Sequence, residues 1–195
     1  VDFGEAAAGD SQNDVVRIMT IHKSKGLEFP ICFIAGCAGA FHTKDTSADV
    51  ICDSNYGIGM DYVDIPNRVK YRDIRKCFLA RYMKEESMGE ELRVLYVAMT
   101  RAKEKLILTG ICNDFGKLAD AFHLQKKADR ILPFIKRANA KSFLDWITAA
   151  MSNHPSFIKA MEESGLNMSD MADASAPHIE VRCLTPQQFK ERTME

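Results

Sequence analysis

Long apolar runs are missing from this 195-residue chain. None approaches the roughly 18 consecutive apolar residues of a membrane-spanning helix, so we expect no such helix and no membrane partner. The length suits one domain, with room for a small appendage. The first residue is Val1 rather than Met, and no signal pattern follows it, which predicts a piece of a larger protein.

An excess of charge of one sign is also missing, because the formal net charge is −1 at pH 7. No overall basic field therefore indicates a nucleic-acid partner. Residues 68–105 differ, with eleven Lys and Arg against six Asp and Glu. That local excess fits either a solvated helix face or a surface that meets nucleic acid or phosphate.

A C-x-x-C pattern is absent although the chain has six cysteines. Cys32 and Cys37 lie in or beside an apolar run, which predicts small buried thiols in a reducing compartment such as the cytoplasm. The histidines at 42, 123, 154 and 178 show no metal-ligand spacing. The sequence therefore predicts no metal site.

The stretch from Val15 to Ala35 organises the chain. Val15–His22 is apolar on both faces, which is typical of a strand buried in a parallel sheet, and Phe29–Ala35 predicts a second strand. Ligands of open α/β sheets bind at the carboxyl ends of strands, where Thr20 and His22 would point into the crevice. The glycine in the intervening turn would let the backbone approach a phosphate.

Further elements follow from local signals. A turn signal within residues 50–63 predicts a β-hairpin. Helical spacing places one set of side chains on the core: Tyr71, Ile74, Phe78 and Tyr82. The S-x-x-E spacing at Ser87 predicts the start of a new, largely buried helix that reaches about Glu104. Residues 105–110 predict a third parallel strand.

The C-terminal part is predicted more coarsely. Helices are expected at about 117–128 and 141–151, and another is expected from Pro155, where proline suits a first turn, to Gly165. Residues 166–177 predict a linker, and His178 to Leu184 a strand. Thr185-Pro186 predicts the start of a final helix.

Two segments carry a family resemblance. Thr20–Pro30 reads T-I-H-K-S-K-G-L-E-F-P and resembles motif V of the UvrD/PcrA/RecBCD group of superfamily 1 DNA helicases. Glu90–Ala102 reads E-E-L-R-V-L-Y-V-A-M-T-R-A and resembles motif VI of that group. Phe41–Lys44 (F-H-T-K) and Ser142–Ile147 (S-F-L-D-W-I) make the chain most similar to the helicase/nucleases of the AddA (RexA) type within it.

The resemblance implies an α/β fold, a RecA-like (P-loop NTPase-type) parallel sheet flanked by helices, with a mostly helical C-terminal extension. It implies four segments along the chain: a lead-in at 1–14, the core of a second RecA-like lobe at 15–112, a helical extension at 113–165, and a linker with a strand and helix at 166–195.

Motif VI implies a catalytic role for Arg101, which would contact the γ-phosphate of ATP as an arginine finger. Arg93 would assist at the phosphates or tie down Glu91. An alternative for Arg101 is an exposed cation near a helix C-terminus, where it interacts favourably with the helix dipole. Tyr96 is expected in the core. Trp146 fits base stacking or, more commonly at such a site, helix packing.

Motif V implies nucleotide contacts at Gly26 and at Glu28, whose carboxylate would accept hydrogen bonds from the ribose. It implies DNA contacts at Thr20, His22 and Lys25. The alternatives are a surface acid at Glu28, a polar strand end that caps the turn at Thr20 and His22, and a solvated lysine at Lys25.

The implied cofactors are ATP and Mg²⁺, held mainly by another lobe, because this sequence has neither G-x-x-x-x-G-K-[ST] nor D-E-x-Q-D. We therefore expect no ATP hydrolysis by this chain alone. Implied partners are single- and double-stranded DNA, an N-terminal RecA-like lobe of the same protein and a second protein of the AddB/RexB type. Two other interpretations stay open: a UvrD/PcrA-type helicase without a nuclease, and a motor-like lobe that only binds DNA or docks a protein.

Overall fold

The computed structural model describes residues 15–42, 44–114, 131–163 and 178–193. The strands are β1 (Phe29–Ile34), β2 (Val50–Asp53), β3 (Gly57–Met60), β4 (Tyr62–Asp64), β5 (Val69–Tyr71) and β6 (Ala102–Leu108). The α-helices are α1 (Ile74–Met99), α2 (Phe134–Asn139), α3 (Phe143–Met151), α4 (Pro155–Glu163) and α5 (Pro186–Thr193). Short 3-10 helices span His22–Ser24 and Lys44–Ser47.

The central feature is the parallel pair β1 and β6, which α1 connects. Ile34 lies opposite Leu108, and Cys32 lies opposite Leu106. Parallel strands need a crossover connection, and the long helix supplies it. The predicted strands at 29–35 and 105–110 are therefore confirmed, although β6 begins earlier, at Ala102.

Two apolar clusters join α1 to α3, and the first of them also includes residues of this strand pair. One contains Ile34, Cys37 and Ala98, against which Leu144 and Ile147 of α3 pack. The other comprises Met88, Leu95, Ala140 and Trp146, with Phe41 and Phe143 packed against it. The predicted helix at 141–151 is confirmed, and it closes the core beside β1.

Two antiparallel hairpins, β2–β3 and β4–β5, precede α1, and β2–β3 packs on its N-terminal half. A Cβ atom at Gly59 would lie 2.9 Å from both Leu79 Cδ1 and the Cα of Lys76, so only glycine permits this close approach. The Lys76 ammonium donates to the Asp49 carbonyl at 3.0 Å and to Asp61 Oδ2 at 2.9 Å. The predicted hairpin within 50–63 is confirmed.

The predicted strand at Val15–His22 is wrong. Residues 15–20 form no regular structure, and Val16 and Ile18 are 95% and 98% exposed. A strand gains its stability from hydrogen bonds to a neighbour, and no strand among the described residues pairs with this segment. The apolar pattern alone therefore does not form a strand here.

The predicted helix start at Ser87 is also wrong, because α1 runs without a break from Ile74 to Met99. Extending an existing helix costs less than starting a new one, and Met88 is buried in the core at this point. The buried positions of α1 are Lys76, Leu79, Met88, Leu95 and Ala98.

The burial predicted for α1 is wrong along one face of the helix. Ile74 and Phe78 are 85% and 51% exposed, and Tyr96 is 69% exposed. Leu92 and Met99 are also exposed. The helix therefore packs along a narrower stripe than its apolar content indicates.

Of the predictions for the C-terminal part, some are confirmed and one is wrong. Residues 178–184 form no strand, so that prediction is wrong. The helices at Pro155 and Pro186 are confirmed. Thr185 and Gln188 cap the last helix reciprocally: the Thr185 amide donates to Gln188 Oε1 at 2.9 Å, and the Gln188 amide donates to Thr185 Oγ1 at 3.3 Å. The predictions for 1–14, 117–128, Gly165 and 166–177 lie outside the described residues.

The cysteines are all free, as expected, but their predicted burial holds for few of them. Cys37 is buried and Cys32 is half-buried, whereas Cys52, Cys77, Cys112 and Cys183 are exposed. No helix in the described ranges is long and apolar enough to cross a membrane.

Candidate functional site

A compact turn connects the extended segment at 15–20 to β1. The Ser24 hydroxyl donates to the Ile21 carbonyl at 2.7 Å, and the Leu27 amide donates to the Ser24 carbonyl at 3.0 Å. Gly26 has φ +84°, a conformation that glycine adopts without strain. A Cβ at Gly26 would meet nothing within 4 Å, so the requirement for glycine is conformational and the turn is open to a ligand.

Thr20, His22 and Lys25 lie around this turn. Thr20 Oγ1 accepts a 3.3 Å hydrogen bond from the Lys23 amide, and so caps the turn. The side chains of His22 and Lys25 are exposed. Their exposure leaves both available to an external partner.

Arg101 lies just after α1 and is half-buried against the same turn. Its Nη1 donates to the Leu27 carbonyl at 2.9 Å, and its Nε donates to the Val97 carbonyl at 3.0 Å. Its Nη2 donates to Thr100 Oγ1 at 3.1 Å, and the Phe29 amide donates to the Arg101 carbonyl at 2.9 Å. Within the described part of the chain, no carboxylate forms an ion pair with this guanidinium.

These contacts of Arg101 are all to uncharged oxygens, so its positive charge is oriented by the fold without being neutralised by a described residue. The bond to Val97 also satisfies a carbonyl of the last helical turn, which is what a structural cation at a helix end would do. The bond to Leu27 goes further, since it joins the guanidinium to the glycine turn 74 residues away in sequence.

Glu28 follows the turn and forms an ion pair with Lys103 of β6. The Lys103 Nζ lies 3.1 Å from Glu28 Oε2, and their side chains are 59% and 58% exposed. No sequence motif singled out Lys103. The available signal was its position in a strand that must lie beside the strand following Glu28.

Arg93 makes its described contact within its own helix. It is exposed on α1 and forms an ion pair with Glu90, one turn earlier. The alternative that it ties down Glu91 is therefore wrong. No bond from Arg93 to the turn at residues 22–28 occurs among the described contacts.

Trp146 is 5% exposed and packs on Phe41 and Phe143. Its indole nitrogen donates to the Arg137 carbonyl at 3.0 Å. The helix-packing interpretation is therefore confirmed. Among the described residues, no group of three or more His, Cys, Asp or Glu side chains could hold a metal ion.

A family comparison covers both the turn and Arg101. The family model of the UvrD-like helicase C-terminal domain matches residues 4–113, more than half of the chain. The chain belongs to the UvrD-like helicase C-terminal domain family. In this UvrD-like domain, the segments Thr20–Pro30 and Glu90–Ala102 both lie within the matched residues.

Curated relatives extend the comparison beyond the matched domain. The chain is 44% identical over 154 residues to an ATP-dependent helicase/nuclease subunit of Bacillus cytotoxicus, and it has the same identity over the same length to those of Bacillus mycoides and Bacillus cereus. Each alignment covers 78% of this chain and 12% of the relative. The aligned part of this chain therefore corresponds to about an eighth of the length of these proteins.

Proposed function

We propose that this chain is the C-terminal, RecA-like motor lobe of an ATP-dependent DNA helicase that moves 3′ to 5′. We infer a cytoplasmic helicase/nuclease of the AddA type that acts in double-strand break repair and recombination. The observation that carries the proposal is the 2.9 Å bond from Arg101 Nη1 to the Leu27 carbonyl, which holds at an open glycine turn a cation that pairs with no carboxylate among the described residues. The parallel β1–β6 pair with its helical crossover is consistent with a RecA-like lobe.

In this proposal Arg101 donates to the γ-phosphate of ATP, where negative charge accumulates during phosphoryl transfer. The planar guanidinium is always charged and donates through a fixed fork, which suits phosphate oxygens. An arginine finger accelerates such reactions by on the order of 10³–10⁵, which corresponds to about 4–7 kcal/mol of barrier. The uncharged Leu27 carbonyl is a weaker acceptor than a phosphate oxygen, so a nucleotide would compete for Nη1 on favourable terms.

The surrounding residues supply the other nucleotide contacts. Gly26 keeps the turn narrow enough for a phosphate to approach the backbone, and the Glu28 carboxylate accepts hydrogen bonds from the ribose hydroxyls. Arg93 assists at the phosphates only after its ion pair with Glu90 breaks, because its guanidinium is bound to that carboxylate here.

DNA would be held by Thr20, His22 and Lys25, which surround the turn and are all exposed to backbone phosphates. Phosphate contacts of this kind position a strand without reading its sequence. Since Thr20 caps the turn that bears Gly26, the DNA and nucleotide contacts would share one small structural unit.

ATP and Mg²⁺ would be bound mainly by a second lobe that carries the phosphate loop, a motif this sequence does not contain. Arg101, Gly26 and Glu28 fit the nucleotide edge of such a site, since they combine a cation, an open turn and an exposed carboxylate. The proposed partners are DNA, an N-terminal RecA-like lobe and a second protein of the AddB/RexB type. The relatives are named as one subunit of a helicase/nuclease, which supports the last of these.

The test is Arg101→Ala in the full-length protein that contains this chain, with DNA-stimulated ATP hydrolysis and DNA affinity measured separately. We expect turnover to fall by about 10³-fold or more, while DNA affinity changes little. Arg81→Ala is the matched control, because Arg81 is an exposed arginine of α1, the helix that ends just before Arg101, and it is paired with Glu85 and remote from the turn. Ordinary turnover in the Arg101 variant would refute the proposal.

A further inference from the structure

Pro30 disturbs the pairing of β1 with β6. Proline has no amide hydrogen to donate to a neighbouring strand, and the register shifts at this point. Phe29 lies opposite Ala102, but Ile31 lies opposite Lys105. Lys103 and Glu104 of β6 therefore face the single residue Pro30, which is the arrangement of a β-bulge.

The bulge determines where the side chain of Lys103 goes. Bulges bend a strand locally and redirect side chains, and they are over-represented beside active sites. Here Lys103 Nζ reaches Glu28 Oε2 at 3.1 Å, across the strand pair and directly beside the glycine turn. In a regular pairing, only one residue of β6 would lie opposite Pro30. The side chains of β6 on one side of this position would then point to the opposite face of the sheet.

The Lys103–Glu28 pair is too exposed to add much to stability, since pairs of this kind contribute little in solution. Its effect is on orientation: among the described contacts, Lys103 engages only one of the two carboxylate oxygens of Glu28. The other oxygen remains able to accept a hydrogen bond from a hydroxyl group.

We propose that Lys103 is a positioning residue that fixes Glu28 for the sugar of the nucleotide and so favours nucleotides with an intact ribose. This inference rests on the proposed function, in which Glu28 contacts the ribose of ATP. Lys103 acts through Glu28 and needs no contact of its own with the nucleotide.

The test is steady-state hydrolysis of ATP, 2′-deoxy-ATP and 3′-deoxy-ATP by the full-length protein in the presence of DNA. Lys103→Ala should raise KM for ATP by about two- to fivefold, the range of an exposed ion pair, with kcat unchanged. The KM of at least one deoxy analogue should change less, so the preference of the protein for ATP over that analogue should become weaker. Lys103→Arg should restore the discrimination, and Lys105→Ala, which removes a charge from the same strand, should leave it intact.

A double-mutant cycle separates positioning from a general charge effect. In a Glu28→Gln background, Lys103→Ala should change KM no further, because contacting residues are not additive when one acts through the other. Additive effects, a fall in kcat instead of a rise in KM, or equal effects of Lys103→Ala and Lys105→Ala would overturn the inference while ATP hydrolysis remained. If the unsubstituted protein hydrolysed no nucleotide with DNA present, the proposed function itself would fail, and the role of Lys103 with it.

Discussion

Arg101 Nη1 and the Leu27 carbonyl oxygen lie 2.9 Å apart, and this bond joins the end of α1 to the turn before β1. A second bond, from the Phe29 amide to the Arg101 carbonyl, lies beside it at 2.9 Å. The backbone and the side chain of Arg101 therefore both fasten the turn to the end of α1. A displacement of the turn by a bound molecule would move the guanidinium directly.

Arg101→Lys tests whether ATP hydrolysis needs the planar arrangement of donors in the guanidinium as well as its positive charge. Lysine retains the positive charge but offers a single ammonium in place of the planar guanidinium, so it cannot keep all three side-chain bonds that Arg101 makes. We expect kcat for DNA-stimulated ATP hydrolysis by the full-length protein to fall by about 10²-fold, the usual cost of one preorganised donor. Arg81→Lys should leave kcat unchanged. Full turnover in Arg101→Lys would contradict a role for the guanidinium geometry.

Gly26→Ala should destabilise the chain by about 1–2 kcal/mol, the cost of a left-handed conformation for an L-residue. The cause is conformational alone, since an added Cβ meets nothing within 4 Å. Gly89→Ala is the matched control with the opposite sign. Gly89 is inside α1 with the same open surroundings, where alanine is favoured by about 0.5–1 kcal/mol. Urea unfolding of both variants gives the comparison, and equal shifts would contradict the turn geometry.

Asp61, which lies between the two hairpins and bonds to Lys76 of α1, makes the stability of the chain dependent on pH. The hydrogen bond from Lys76, with a further one from Lys70, holds the pKa of Asp61 below its usual value, and burial opposes this in part. The unfolded chain therefore binds more protons in the acidic range. The stabilisation is complete above about pH 4, the ordinary Asp pKa, and is lost as the pH falls through the lower folded value.

Asp61→Asn should accordingly flatten the rise in unfolding free energy between about pH 2 and pH 5. Lys70→Met should also flatten it, because Lys70 lowers the pKa of Asp49 as well as that of Asp61. Denaturant unfolding of this chain across that pH range measures both slopes. If the unfolding free energy of Asp61→Asn rose with pH in parallel with that of the unsubstituted chain, Asp61 would not be the source of the pH dependence.

The elements that the sequence predicted correctly have signals that do not depend on a distant partner. The β2–β3 hairpin has a turn at Asp53, whose carboxylate accepts from the Asn55 and Tyr56 amides at 2.8 and 3.0 Å. The pair β1–β6 is predicted by two short apolar runs. The proximity of Arg101 to the glycine turn follows from the family resemblance, because no local pattern connects residues so far apart in sequence.

The errors arise where tertiary structure decides. Val16 and Ile18 fit a strand pattern, but a strand also needs an edge to pair with. Ser87 has a capping spacing, but burial of Met88 favours continuing the helix. Lys103 was missed because its direction depends on a register shift at Pro30, and a proline in a strand indicates a bulge without saying which side chain it redirects.

Trp146→Phe distinguishes packing from base stacking at the only tryptophan of the chain. Phenylalanine keeps most of the apolar contact with Phe41 and Phe143 but leaves the Arg137 carbonyl without its indole donor, which costs about 1–3 kcal/mol when such a group is shielded from water. We expect that loss in urea unfolding, with no change in the affinity of the full-length protein for single-stranded DNA. In the unsubstituted chain, the fluorescence of Trp146 should resist quenching by iodide, since the side chain is 5% exposed. A weaker affinity for DNA at unchanged stability would instead favour stacking on a base, because packing affects the fold before it affects a ligand.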